Sequence, residues 1–129
     1  MADTTKKKIL LVDDDSFLLN MYLLKFEKNS FEVVSASSGQ EALARLKEGF
    51  KPDAVVCDVV MPEIDGIELL TTIRDQHLAE GAKRVILSNQ GDSSDIERAK
   101  KAGVDGYIVK ATSIPSEVVR LVQEVLDKK

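Results

Sequence analysis

Carboxylates, a hydroxyl and an ammonium group recur in this sequence at one kind of place, the end of a short apolar run. Ile9-Leu10-Leu11-Val12 leads into Asp13-Asp14-Asp15, and Ala54-Val55-Val56-Cys57 leads into Asp58. Arg84-Val85-Ile86-Leu87 ends in Ser88, and Gly106-Tyr107-Ile108-Val109 ends in Lys110. Three adjacent acids repel one another unless water solvates them or a cation sits among them. Mg²⁺ takes hard oxygen ligands, keeps several waters and is held by one or two carboxylates together with phosphate oxygens. Asp13 and Asp14, joined by Asp58, read as such a metal site, whereas Asp15 reads as the cap of the following helix. Asp58 precedes Val59-Val60-Met61-Pro62 and the turn Asp65-Gly66, so the chain leaves the strand directly after it. A carboxylate aimed out of a strand end beside Mg²⁺ can accept a phosphoryl group as an aspartyl phosphate. Ser88 and Lys110 would then orient and neutralise the phosphoryl oxygens.

Residues so far apart in sequence meet only if the runs are neighbouring parallel strands, whose carboxyl ends form one crevice in an open α/β sheet. The runs are short, rich in β-branched residues and separated by helix-length segments, which is the alternation of a parallel βα fold. The pattern predicts strands near 8–12, 31–35, 54–57, 84–88 and 106–109. It predicts helices near 15–28, 38–48, 65–77, 92–102 and 114–127. In the first helix Phe17, Leu18, Met21, Leu24 and Phe26 form a broad apolar face, with Asn29 near its stop. The second opens at Ser37-Ser38 and carries Ala42, Leu43 and Leu46. The third starts at Asp65-Gly66 and buries Ile67, Leu70 and Ile73. The last follows Ile114-Pro115-Ser116, buries Val118, Val119, Val122, Val125 and Leu126, and ends in Lys128-Lys129.

A chain of 129 residues is expected to form one domain, 1–129 with a core of about 7–126, without repeat or linker. No output domain is expected after the final helix, so the protein would act through its own surface. Eighteen basic residues against 22 acidic ones give a net charge of −4, which disfavours direct contact with nucleic acid. Lys6-Lys7-Lys8 reads as a solvated lead-in. One cysteine, Cys57, excludes an intrachain disulfide and sits within an apolar run as a small buried hydrophobe. No apolar stretch has the ~20 residues of a membrane span, and the start lacks a signal-peptide core, so a cytoplasmic location is expected. His77 reads as a surface residue near the end of the third helix.

With these residues in place, the chain resembles the receiver domain of two-component response regulators, from about Lys7 to Leu126. The resemblance rests on Asp13-Asp14, Asp58 in VVCDVVMPEIDG, Ser88 in VILSN and Lys110 in GYIVK. It implies a flavodoxin-like (βα)5 fold with sheet order 2-1-3-4-5, helices on both faces and the site at the carboxyl edge. It implies phosphotransfer to Asp58 from a histidine kinase or histidine phosphotransfer protein. The Mg²⁺ ion would be held by Asp14, Asp58, the Val60 carbonyl and water, with Asp13 acting mainly through water. Ser88 and Tyr107 would form a switch pair serving the surface of helix 4, strand 5 and helix 5, which would bind a downstream protein or a second copy. Self-dephosphorylation is expected to be slow, because Val60 and Gln90, each two positions beyond a site residue, flank the route of attacking water. The chain departs from the family at Asn89, where a small residue is usual, and at Ala111, where proline is usual. A cis bond before alanine costs about 2.5–4 kcal/mol, so a trans peptide is expected there, with an unusual path for the loop 110–115.

Three other readings compete. A haloacid-dehalogenase-like phosphatase would use Asp13 as nucleophile and Asp15 as acid, but would leave Asp58 without a role and lacks room for a cap domain. Flavin binding on the same fold fails because Asp13-Asp14-Asp15 would repel a phosphate. A degenerate receiver is disfavoured by the intact set of five site residues.

Overall fold

The computed structural model describes residues 6–88, 93–109 and 114–128. Among these residues five strands alternate with five helices: β1 Lys8–Val12, α1 Ser16–Lys28, β2 Glu32–Ala36, α2 Gly39–Lys47, β3 Ala54–Asp58, α3 Gly66–Asp75, β4 Lys83–Ser88, α4 Ser93–Lys101, β5 Gly106–Val109 and α5 Pro115–Asp127. The strands pair in parallel in the order β2-β1-β3-β4-β5, the topology expected of a flavodoxin-like fold.

Alternation along each strand sends successive side chains to opposite faces, and each face carries its own core. Leu10, Val12, Val55, Cys57 and Ile86 pack with Ala42 and Leu46 of α2, Ile67, Leu70 and Ile73 of α3, and Ala99 of α4. Ile9, Leu11, Ala54, Val56, Val85 and Leu87 pack on the other face with Tyr22 and Phe26 of α1 and Val118, Val119 and Val122 of α5. The amino edge of the sheet is stitched by two aspartates. Asp53 accepts from the Lys8 amide at 2.8 Å and its carbonyl accepts from Lys83 at 2.9 Å, while Asp105 accepts from the Arg84 amide at 2.8 Å.

The helix starts follow their capping residues. Asp15 accepts hydrogen bonds from the Phe17 and Leu18 amides, Ser38 from Glu41, and Asp65 from Glu68, each satisfying donors that a helix leaves open at its first turn. Two details differ from the periodicity reading. Phe17 and Leu24 are exposed on α1, Phe17 at 76%, and the buried aromatics are Tyr22 and Phe26. Residues 17–19 and 21–24 are all apolar or aromatic, so more than one face of α1 qualified as its core stripe. The third helix stops at Asp75 rather than 77, with His77 beyond its cap.

Four helices end in the same turn. The residue after the cap adopts positive φ, and the next amide reaches back to the last helical turn: Phe31 to Phe26, Phe50 to Arg45, Leu78 to Ile73 and Val104 to Ala99. Glycine fills the left-handed position after α2 and α4, as Gly49 and Gly103, but Ser30 and His77 fill it after α1 and α3, at φ 69° and 57°. The hydrophobic contact that accompanies this turn is present after α1 as an edge-to-face pair of Phe26 and Phe31, 5.3 Å between ring centres. An L-residue in this conformation costs roughly 1 kcal/mol that glycine avoids. The exposed His77 ring makes only a 3.8 Å approach to Glu80. His77→Gly is therefore expected to stabilise the fold by about 0.5–1 kcal/mol, read as a higher midpoint in denaturant with an unchanged m-value.

Candidate functional site

The β1–β3 register builds the acidic group. Val12 pairs with Cys57, so the next residues, Asp13 and Asp58, leave the sheet at one level and with the same side-chain parity. Carboxylate oxygens of Asp13, Asp14 and Asp58 come within 4.8 Å of one another. Asp13 is 2% and Asp58 6% exposed, whereas Asp14 faces solvent. Two nearly buried carboxylates beside a third, open to water on one side, fit a hydrated divalent cation with hard oxygen preference.

Local bonds fix each acid. Asp13 accepts from the Asp15 amide at 2.9 Å, which turns the backbone sharply at the strand end. Asp58 accepts from the Val60 amide at 3.3 Å, an Asx turn that starts the loop to α3. That loop closes on itself through Gly66, whose amide donates to the Val59 carbonyl at 2.9 Å. A Cβ at position 66 would stand 2.0 Å from the Asp58 carbonyl oxygen, so only glycine lets α3 start this close to Asp58. Asp-Gly announces a turn in the sequence, but the contact it makes possible was not visible there. Cys57, one residue earlier, is fully buried with its thiol 3.5 Å from the Gly66 carbonyl. Burial and the neighbouring Asp58 push the thiol pKa well above its ordinary value, which suits a core side chain and not a nucleophile.

Ser88 ends β4, 4% exposed, in register with Val109 of β5, and Leu87 beside it pairs with Asp58. The hydroxyl is thus one residue beyond the Asp58 level on the adjacent strand. Tyr107, on β5, packs against the core shared by α2, α3 and α4. Val60 is 73% exposed beside the acidic group. Lys110, Asn89, Gln90 and Ala111, including the peptide expected to be trans, lie outside the described residues.

Asp15 stands apart from the acidic group in its role. Its Oδ1 accepts from the Phe17 and Leu18 amides at 3.0 and 3.1 Å, so its carboxylate is engaged at the start of α1.

One pair of residues near the site had no signal in the sequence. Asp65, the cap of α3, also binds Arg98 of α4, with Oδ2 and Nη2 2.7 Å apart across 33 residues of chain. The hydrogen bond to Asp65 raises the Arg98 pKa from its ordinary value, as expected of a guanidinium held by a carboxylate.

Comparison with known proteins agrees with this geometry. The response regulator receiver domain family matches residues 9–123. The chain is 38% identical over 121 residues to the chemotaxis protein CheY of Halobacterium salinarum, covering 93% of this chain and 97% of that protein. It is 36% identical over 120 residues to CheY of Thermotoga maritima, covering 92% and 97%. Against the alkaline phosphatase synthesis transcriptional regulatory protein PhoP of Bacillus subtilis it is 35% identical, covering 93% of this chain but 48% of that protein. Among solved structures, a CheY-like receiver domain protein of Methanospirillum hungatei superposes with a TM-score of 0.85 at 28% identity, covering 95% of each chain. The chemotaxis response regulator CheY4 of Vibrio cholerae gives 0.84 at 27% identity, covering 94% of this chain and 99% of that one. With five parallel strands in this order and an acidic group at their carboxyl edge, the chain belongs to the response regulator receiver domain family of two-component signalling.

Proposed function

We propose that Asp58 is the phosphoacceptor of a Mg²⁺-dependent switch, charged by a histidine kinase or a histidine phosphotransfer protein. Receiver domains are signalling switches, not turnover enzymes, and they exchange phosphoryl groups with such donors and act on downstream targets. The observation that carries the reading to Asp58 is the convergence of the Asp13, Asp14 and Asp58 carboxylates within 4.8 Å at the end of β3.

In this reading an Asp58 oxygen attacks phosphorus in line with the phosphohistidine nitrogen. The P–N bond breaks, its electron pair stays on the imidazole, and that ring takes up a proton. Asp14, Asp58 and the Val60 carbonyl would hold the Mg²⁺, with Asp13 acting mainly through water. The ion, when bound, offsets the negative charge gathered between donor and acceptor oxygens. Ser88 and Lys110 orient and neutralise the transferred oxygens. Ser88 and Tyr107 then couple the phosphoryl group to the face of α4, β5 and α5, which meets a downstream protein or a second copy. The unit that does this is a single domain, 1–129 with a core of about 7–126, working in the cytoplasm without direct contact to nucleic acid. Among the described residues no helix is long and apolar enough to cross a membrane.

A small acyl-phosphate donor with Mg²⁺ should add one phosphoryl group, about 80 Da by intact mass. Asp58→Asn should abolish the adduct, and an undiminished mass shift would refute the assignment.

The two exposed acids should separate cleanly. Asp14→Ala is expected to raise the apparent Mg²⁺ dissociation constant by about tenfold or more, since few carboxylates hold so hydrated an ion. Asp15→Ala should leave Mg²⁺ affinity within roughly threefold while lowering stability by about 1 kcal/mol, the usual cost of a lost cap. Mg²⁺ titration and denaturant unfolding of both variants check this.

Self-dephosphorylation should be slow, because the Val60 side chain beside Asp58 offers no group to orient an attacking water. Val60→Asn is expected to shorten the phosphoryl half-life severalfold. A half-life of seconds in the unaltered chain, unmoved by Val60→Asn, would overturn this part of the reading.

A further inference from the structure

We infer that the Asp65–Arg98 ion pair ties the loop bearing Asp58 to α4, making Arg98 a positioning residue that transmits the state of the site to that helix. The inference rests on the reading of Asp58 as phosphoacceptor and adds a route beside that of Ser88 and Tyr107.

The path begins at Asp58. Its carbonyl lies against Gly66 so closely that no Cβ fits between them, and the Gly66 amide is bonded to the Val59 carbonyl at 2.9 Å. Backbone displacement at Asp58 or Val59 therefore presses on residues 65 and 66 rather than dissipating in a slack loop. A phosphoryl group adds bulk and negative charge at Asp58, next to this contact.

Asp65 is well placed to pass the displacement on. One carboxylate oxygen accepts from the Glu68 amide at 2.8 Å, fixing it to the first turn of α3, and the other meets Arg98 at 2.7 Å. Arg98 also reaches Asp95 on its own helix at 3.4 Å, so the guanidinium bridges the α3 cap and the first turn of α4. As a source of stability so exposed a pair counts for little. As a geometric link it counts for more, because among the described residues of α4 and the residue that follows it the buried ones are the small Ala99 and Ala102. An element with so little buried apolar surface yields readily to a local force.

The C-terminal turn of α4, which carries Arg98, is also held to its neighbours. Arg74 of α3 donates to the Ala102 carbonyl at 3.1 Å, and Arg84 of β4 donates to the Ala102 and Gly103 carbonyls at 3.0 and 2.7 Å. Guanidinium groups on the carbonyls at a helix C-terminus meet the negative end of its dipole. Arg98 belongs to this same last turn, with the Ala102 amide bonded to its carbonyl at 3.0 Å, so a pull through Arg98 is felt first along residues 98–103 and at these anchoring bonds.

The test uses the full chain and beryllofluoride with Mg²⁺ as the phosphoryl mimic, read by amide chemical shifts. In the unaltered protein the mimic should shift Asp58 and Gly66 together with Ala99 and Ala102. Arg98→Met keeps the stem of the side chain and removes the charge. It should leave mimic affinity within about threefold and the Gly66 shift intact, while the Ala99 and Ala102 shifts fall below about half, as expected when a coupling path is cut. Asp65→Asn retains an oxygen for the α3 cap and should give the same selective loss. Full-sized Ala99 and Ala102 shifts in either variant would overturn the inference while leaving the phosphoacceptor reading intact. Failure of the unaltered chain to bind the mimic would overturn both.

Discussion

Mutual repulsion among Asp13, Asp14 and Asp58 is the constraint around which the rest of this structure is arranged. Carboxylates within 4.8 Å of each other, two of them nearly buried, are held in place by a chain with little freedom to separate them. The β1–β3 register supplies that restraint. A slip of one residue would turn either acid to the opposite face and disperse the group. Register in turn depends on two separate cores, since each strand is apolar on both sides and must be covered by helices on both. The charge cluster thus sits at the end of strands packed on both faces, and the loops add directional detail.

Much of this could be read from the residues. Short β-branched runs separated by helical spacing specify a parallel sheet, and strand ends bearing acids specify where a site must form. Asp15 could be told from its neighbours because a carboxylate just before an apolar helix has a capping role available to it. Other features resisted. α1 carries apolar residues around much of its circumference, so periodicity placed Phe26 inward correctly but could not say that Tyr22 would join it or that Phe17 would face outward. His77 fell inside the helical pattern, yet the helix ends before it through a turn that usually takes glycine. Arg98 and Asp65 look like ordinary surface residues until the fold brings them together. Such contacts are properties of the packed pair of helices, and no local pattern encodes them.

The loop from Val59 to Gly66 buries Val59 and Met61 in the core and gains further definition from short-range bonds. An Asx turn at Asp58 starts it, a backbone bond from Ile64 to the Pro62 carbonyl at 2.8 Å tightens it, and the Gly66 amide closes it on Val59. Glu63 accepts a positive φ of 68° within it. These are short-range restraints, so the loop has a defined path while its outer residue, Val60, remains open to a partner.

The alternation of side chains along the strands has a further consequence. Asp13 and Asp58 share the parity of residues packed under α1 and α5, while Ser88 and Tyr107 share that of residues packed under α2, α3 and α4. An event at the acids is therefore born on one side of a sheet and must be felt on the other. The sheet behaves as a partition, and its carboxyl edge is the margin where the acids and the Ser88 hydroxyl, of opposite parity, come nearly level. For a message that starts at the acids the shortest way to the other half is round that margin, and the geometry of the margin decides how it is heard.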